Sequence, residues 1–501
     1  MACSLTRLQK WWLNILGCFV MLEIFLLVNN YKQGPTTIDK RSYWEIQSDI
    51  ERKIYRNLPM DELLDPKKSK FWHRQRRCGL FPRFFDIKFT NTYWQKLNTT
   101  NGTVMLHAAY YDDRLPETPI VWVLGAGRVA NQLPRLFCHL WFNAMMHPVE
   151  VNVTWSKHLH GDNVFQHWHP EVFLGHLIKC QIPEEYKEQV PSVVSMVSQS
   201  CGRSFNALKV TNNKMAKMQD FAVCLKGLWS PFQENHVQVA EWIEMNLAVG
   251  ASKVIIYVFA VAPKTRKILA FYERMKKVEV LQMEWAGSMP TSHTPLAQEW
   301  FYQNVSWIYS NFEDYAHSDC FYRNLYTYKF VALIDIDELI MPAQHSTWQE
   351  VFQELKRQGV DPSDYTSLFF QHYDFFGNRT TTKTSSFQLL DSDLRAATEY
   401  PYGWQDKGMF NTQKANIVFN HDNLGCIEPP CRSVLVNATL GKLNHYGSNC
   451  THTEVLKQIE CLEMKNNLVM DNLAIKRYGT TIKMNVHHAL QSIEESDSIP
   501  H

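Results

Sequence analysis

An apolar, β-branched run, Phe330-Val331-Ala332-Leu333-Ile334, ends in Asp335-Ile336-Asp337-Glu338. Such a run predicts a buried strand. Alternate side chains of a strand share a face, so Asp335 and Asp337 should leave its tip together, with Glu338 beside them. Carboxylates gathered at one point suit a hard divalent cation, which prefers oxygen ligands and can in turn hold a diphosphate. The same triplet also arises as a plain acidic turn, so this chemistry needs support from the rest of the chain. Acids turned away from any cleft, or paired to cations of the chain itself, would remove it.

The elements that must position these acids alternate in type. Residues 221–225 predict a strand, and 236–249 a helix with Val239, Ile243 and Leu247 on one face and Gly250 as its stop. A strand over 254–260, a helix over 264–275, a strand over 278–283 and a helical region over 296–324 complete the approach to Asp335. Alternation of this kind implies a mainly parallel α/β sheet, whose ligands bind beyond the C-terminal strand ends. Asp335 and Asp337 fall there. Upstream, residues 76–218 show short strand-like pieces at 103–109, 120–124, 150–154 and 192–197, with turn signals such as Asn101-Gly102, and predict a β-rich module.

At the N-terminus, Trp11 to Val28 form an 18-residue, mostly apolar run after Arg7 and Lys10. Its length suits an uncleaved membrane anchor, with residues 1–10 as a cytoplasmic tail and the polar, proline-dotted residues 29–75 as a stem of little fixed structure. Ten cysteines follow the anchor, an even number that fits disulfides without fixing their pairing. Asn-X-Ser/Thr sites at Asn98, Asn101, Asn152, Asn304, Asn378, Asn437 and Asn449 also follow it. Together these place the bulk of the chain in the secretory lumen.

Lys plus Arg (51) balances Asp plus Glu (50), which leaves no basic footprint for nucleic acid. Two other motifs fail on context. Gly125-Ala126-Gly127-Arg128-Val129-Ala130 imitates a dinucleotide-binding turn, but Pro134 interrupts the helix that should follow. His158, His160, His167, His169 and His176 have the mixed spacing of packed or surface histidines rather than that of a metal site.

Several spaced motifs resemble glycosyltransferase family 92. They are Cys224-Leu225-Lys226, Glu241-Trp242-Ile243-Glu244 with Gly250 and Val254-Ile255-Ile256-Tyr257, Asp319-Cys320-Phe321-Tyr322-Arg323, the acidic strand end with Pro342, and upstream Ala108-Ala109-Tyr110-Tyr111-Asp112-Asp113-Arg114. The likeness covers roughly residues 76–470. It implies a GT-A-type α/β fold, a nucleotide-sugar-binding mixed sheet flanked by helices over residues 219–475, behind a smaller β-rich lumenal module at 76–218 and before an extension at 476–501. It further implies a single-pass type II Golgi membrane enzyme that moves galactose from UDP-galactose to a glycoprotein glycan, inverting and forming a β-1,4 bond. Terminal β-galactose is the preferred acceptor and fucose the second. Two departures stand out: Leu339 where the family often has Phe, and Gly447 after His445-Tyr446 where an Arg, a possible phosphate contact, is common.

On that resemblance Asp337 is the first choice as ligand of Mn²⁺ or another divalent cation, Asp335 bridges metal and ribose, and His445 completes the shell. Leu225, Lys226 and Gly227 lie under the nucleotide base with Glu241 nearby, and Arg323 supports the donor unless it simply pairs with Asp319. Asp374, Glu399 and Asp406 are candidates for the base that takes the acceptor proton, and Trp404 for stacking on the acceptor sugar. Two other functions compete: a catalytically silent lumenal glycan-binding or scaffolding protein that keeps the fold, and a two-carboxylate glycosidase.

Overall fold

The computed structural model describes residues 55–64, 78–128, 135–143, 145, 147–159, 173–287, 306–377, 387–403, 406–419, 421–447, 450 and 455–498. The expected anchor at 11–28 lies outside these residues, and among them no helix is long and apolar enough to cross a membrane.

Residues 78–218 hold ten strands and no α-helix among the described residues. Their sheet runs Val149–Asn152, Phe137–Trp141, Val193–Val197, Leu208–Thr211, Gly102–Asp112, Ile120–Arg128, Phe173–Gln181, Ser156–His158, with two further strands beside Gly102–Asp112. The Cys138–Cys180 disulfide links strands that are not neighbours, and both cysteines are buried in the same cluster. Gly125 and Gly127 sit inside the long strand Ile120–Arg128, paired to His176 and Leu174, so no dinucleotide turn exists at this point. Residues 55–64, expected to have little fixed structure, dock Leu58 and Leu63 into a cluster with Phe81 and Trp141. Two buried leucines in an otherwise polar stretch account for the difference.

The second half follows the predicted alternation. β1 (Gln219–Ser230), α1 (His236–Ala248), β2 (Lys253–Val261), α2 (Pro263–Arg274), β3 (Val278–Gln282), α3 (Ser306–Arg323) and β4 (Tyr328–Leu333) occur in that order. α1 stops at Gly250, whose φ of +122° favours glycine. β5 (Glu338–Pro342), α4 (Trp348–Arg357), β6 (Ser367–Phe370), β7 (His372–Phe375), β8 (Leu394–Ala396) and β9 (Lys407–Asn411) follow. The chain then forms β10 (Ala415–Val418), β11 (Asn423–Cys426), β12 (Ser433–Val436), β13 (Gly441–Tyr446), α5 (Val455–Lys465), β14 (Leu468–Met470) and α6 (Leu473–Ser498).

The main sheet has the order β3-β2-β1-β4-β9-β6-β12 and is parallel from β3 to β4. A second sheet, β5-β13-β7-β8-β14, takes over where β4 stops, and β10–β11 form a hairpin of their own. Both faces of the main sheet are covered. Phe221, Val223 and Leu225 of β1 enter one core with α1, α2 and α6, while Ala222 and Cys224 enter the other. This is why its strands read as continuous apolar runs. α6, which spans most of the stretch expected as an extension from 476, lays Tyr478, Ile482, Val486, Ala489 and Ile493 into the first core at helical spacing.

The second core is shared with the N-terminal sheet. Trp94, Tyr110, Trp122 and Leu177 pack there with Ile255, Tyr257, Ala316, Phe321 and Val331. α3 runs between the two sheets, and the Cys224–Cys320 disulfide bonds it to β1.

Candidate active site

The acidic run does not continue as one strand. β4 ends at Leu333, residues 334–337 turn, and Glu338 opens β5 in the second sheet. The turn is pinned at both ends: the Asp335 N–H donates to the Glu338 carboxylate at 2.9 Å, and the Trp242 indole N–H donates to the Glu338 carbonyl at 3.0 Å. Because the backbone turns here, Asp335 and Asp337 face different partners within the chain.

Asp335 is committed to the chain's own cations. Lys226 Nζ lies 3.1 Å from Oδ1 and Lys407 Nζ lies 3.0 Å from Oδ2. Lys226 also pairs with Glu313 at 2.7 Å, and Lys407 lies 3.5 Å from Glu338. Burial alone would raise the Asp335 carboxyl, but Lys226 and Lys407 outweigh it and hold the group ionised. Burial pushes Glu313 up to about 7 against the opposing pull of Lys226. His317 and His421 are each pushed down to about 3, by burial first and by Lys407 second, and stay neutral. Two lysines thus stand at its oxygens, and its expected place between metal and ribose stays a proposal.

Asp337 remains available. Its carboxylate is about a third exposed and lies 3.5 Å from His445 Nε2. β7 and β13 run parallel in register, which sets Asp374 beside His445. Asp374 Oδ1 is 2.7 Å from His445 Nδ1 and 2.9 Å from His372 Nε2, while Oδ2 accepts from the Tyr400 hydroxyl at 2.9 Å. Burial would raise Asp374, yet the bonds from His372 and His445 bring it far below the usual carboxylate range. Burial would likewise lower His445, but Asp337 and Asp374 raise it well above an ordinary histidine. A carboxylate that fixes one ring nitrogen and aims the other outward is the usual support of a metal-binding histidine. An oxygen of Asp337 and Nε2 of His445 form a mixed donor pair of the kind Mn²⁺ accepts.

The sequence pattern of glycosyltransferase family 92 matches residues 219–486, a span that contains every residue of this site. The chain belongs to glycosyltransferase family 92. No curated protein matches it in sequence. Among solved structures, S. aureus TarS residues 1–349 aligns at 12% identity and a TM-score of 0.21, covering 39% of this chain and 47% of that one. A second S. aureus TarS structure aligns at 11% and 0.20, covering 39% and 28%. This family 92 chain thus spans less than half the length of either.

Other residues proposed for the family 92 site fall into three groups. Lys226 joins the acidic cluster, and Gly227 is required beside it, since a Cβ there would come 1.9 Å from the Phe259 ring. The Leu225 side chain is buried in the first core, so only its backbone can face a ligand. Glu241, buried on α1, accepts the N–H groups of Gln388 and Leu390 at 2.7 Å each and shapes the loop before β8.

Arg323 takes the alternative that the sequence left open, a pair with Asp319. It closes α3 at the far end from Glu313, about 15 Å along the helix, and lies 3.2 Å from Asp319 and 3.0 Å from the Tyr110 hydroxyl. Asp319 also accepts from Tyr110 and Tyr257 at 2.5 Å each. Arg323 therefore fastens the two halves of the molecule together through Asp319 and Tyr110.

The base candidates differ sharply. Asp374 has both oxygens occupied. Glu399 is exposed and accepts from the Tyr373 hydroxyl at 3.0 Å. Asp406 is buried; one oxygen accepts from the Gly403 N–H at 2.9 Å and the other meets no donor among the described residues, and burial raises its carboxyl. Trp404, Asn304, Asn378 and Asn449 lie outside the described residues, whereas Asn98, Asn101, Asn152 and Asn437 are all exposed. His158 and His176 stack with ring centroids 4.0 Å apart, and His160, His167 and His169 lie outside the described residues.

The sequence reading missed Lys407, Glu313, His372 and Tyr400. For Lys407 a signal exists: a lysine opening the buried run Gly408-Met409-Phe410 needs a counter-charge nearby.

Proposed function

We propose that this family 92 chain transfers galactose from UDP-galactose to a terminal sugar of glycoprotein glycans, with inversion and a β-1,4 linkage, in the Golgi lumen behind an anchor at 11–28. The observation that carries this reading is the relay from Asp374 through His445 to the accessible Asp337, at the end of the parallel strands. Exposed glycosylation sites and five disulfides support the lumenal setting.

Asp337 and His445 would hold a divalent cation, which supplies positive charge beside the diphosphate as it leaves. Asp374 holds the His445 ring in place for that purpose. Lys226 and Lys407 keep Asp335 and Glu338 compensated, so the site is not a bare cluster of repelling acids. Asp406 takes the proton of the acceptor hydroxyl: burial raises its pKa above that of an ordinary aspartate, and one oxygen has no donor among the described residues. The proton leaves the hydroxyl as its oxygen bonds to the anomeric carbon and the bond to UDP breaks.

A donor-by-acceptor assay on a secreted form lacking residues 1–28, with and without EDTA, tests the reading. Galactose transfer from UDP-galactose that EDTA abolishes is expected; no transfer from any nucleotide-sugar would overturn it. The pairing of Asp335 with Lys226 and Lys407 favours one alternative, a silent glycan-binding member of the family. Under that alternative, UDP with Mn²⁺ leaves the melting temperature unchanged.

A further inference from the structure

A cleft along the seam between the N-terminal sheet and the β10–β11 hairpin has no part in the reaction described above. Its volume is about 330 Å³, within the range of small-molecule sites. Both halves of the molecule line it: Trp122, Trp155 and Lys179 from one side, Asn416 and Ile427 from the other. Half-buried Trp155 meets Trp122 edge-on, with ring centroids 5.5 Å apart and planes at 68°. Trp122 is itself held by an indole N–H bond of 2.8 Å to Asp112.

Hydrogen-bond donors stand around these rings. Asn416 Oδ1 accepts from the Tyr322 hydroxyl at 2.7 Å, while its amide nitrogen makes no hydrogen bond among the described residues. The Lys179 ammonium is likewise without a protein partner among them. An indole surface rimmed by an amide and an ammonium matches a pyranose, which offers an apolar C–H face and hydroxyl oxygens around its edge. A neighbouring cavity of about 460 Å³ shares Arg114, Leu115, Cys426 and Ile427, so the groove continues along the seam.

The hairpin also connects this groove to the reaction centre. Asn416 lies near its base and His421 near its tip, where the His421 ring nitrogen lies 3.1 Å from the Asp406 carbonyl oxygen. His421 follows Asn416 by five positions, which spans at most about 18 Å of chain, within the reach of a short oligosaccharide.

We infer that the seam cleft is a glycan subsite, which holds an inner, non-reacting sugar of the acceptor while the outer terminus reaches Asp406. The inference rests on the transferase reading above. Binding at such a distance would favour extended acceptors over isolated sugars.

The test compares a galactose-terminated biantennary N-glycan with methyl β-galactoside, using kinetics and saturation-transfer NMR on the parent, Trp155→Ala and Lys179→Ala proteins. In the parent, inner sugars of the N-glycan should receive saturation. Trp155→Ala should raise KM for the N-glycan about tenfold, the effect of losing one aromatic contact, with kcat and the methyl galactoside constants unchanged. Lys179→Ala, a milder change that leaves the indole pair intact, should shift KM the same way. Unchanged N-glycan KM in both variants would overturn the subsite while leaving the transferase standing. If the parent converts neither acceptor, the transferase reading fails and the NMR arm still decides: inner-sugar saturation abolished by Trp155→Ala upholds glycan binding, and its persistence or absence from the parent overturns it.

Discussion

His445 presents Nδ1 to Asp374 at 2.7 Å, which leaves Nε2 as the nitrogen facing Asp337 at 3.5 Å. The aim of the ring is therefore set from behind by a buried carboxylate. Asp374→Asn keeps the shape but removes the charge. Mn²⁺ affinity, measured by titration calorimetry, should fall by about 10- to 100-fold, with the fold retained.

Asp337 sits at the accessible end of the same relay and makes no contact that the core depends on. Asp337→Ala should abolish transfer and also the rise in melting temperature caused by UDP with Mn²⁺. Secretion of the variant should match the parent. Equal activity in both proteins would dismiss the metal role of Asp337.

Lys407 is almost wholly buried between Asp335 and Glu338. Lys407→Met leaves Glu338 without a cation and Asp335 with Lys226 alone, and should lower unfolding stability by about 3–5 kcal/mol in urea titrations. An added divalent cation can replace part of the lost charge. Mn²⁺ should thus stabilise this variant more than the parent.

Asp406 carries a carboxyl that burial raises, so the acid limb of the kcat profile should lie above the ordinary aspartate range. Asp406→Asn should lower kcat by about 10²- to 10⁴-fold with donor KM little changed. A variant with parental kcat would pass the role to another group.

Acid should loosen the seam in two stages. Burial pushes His107 down to about 4, so the stability gained by keeping it neutral is complete above the unfolded value of about 6.5 and is lost as pH falls toward 4. This stage is worth up to about 3 kcal/mol. Burial would raise Asp319, but Arg323, His107 and Arg56 outweigh it and hold the carboxyl far below its usual range. Its contribution is present above about 3.9 and fades as pH drops further. Asp319→Asn should remove the second stage and lower the melting temperature at neutral pH, as followed by circular dichroism.

Much of the second half was legible because its strands are buried on both faces and its helices on one. Periodicity therefore tracks burial at β1, α1, β2 and α2, and Gly250 marks its stop by backbone geometry alone. The acidic turn was legible as chemistry but not as shape. Apolarity continues through Ile334 and Ile336, while the backbone bend depends on Glu338 folding back onto the Asp335 N–H and on Trp242, which comes from elsewhere in the sequence. Partners across sheets left no local trace either. Nothing near Asp335 announces Lys226 or Lys407, and nothing near Arg323 announces Tyr110. The i,i+4 spacing of Asp319 and Arg323 did foretell their pairing.

The core shared by Trp94, Trp122, Tyr257 and Phe321 has a practical corollary. A fragment cut at Gln219, where the family pattern begins, would bare a wide greasy flank of α3 and the main sheet. Such a fragment should precipitate on expression even though it carries every proposed reacting group.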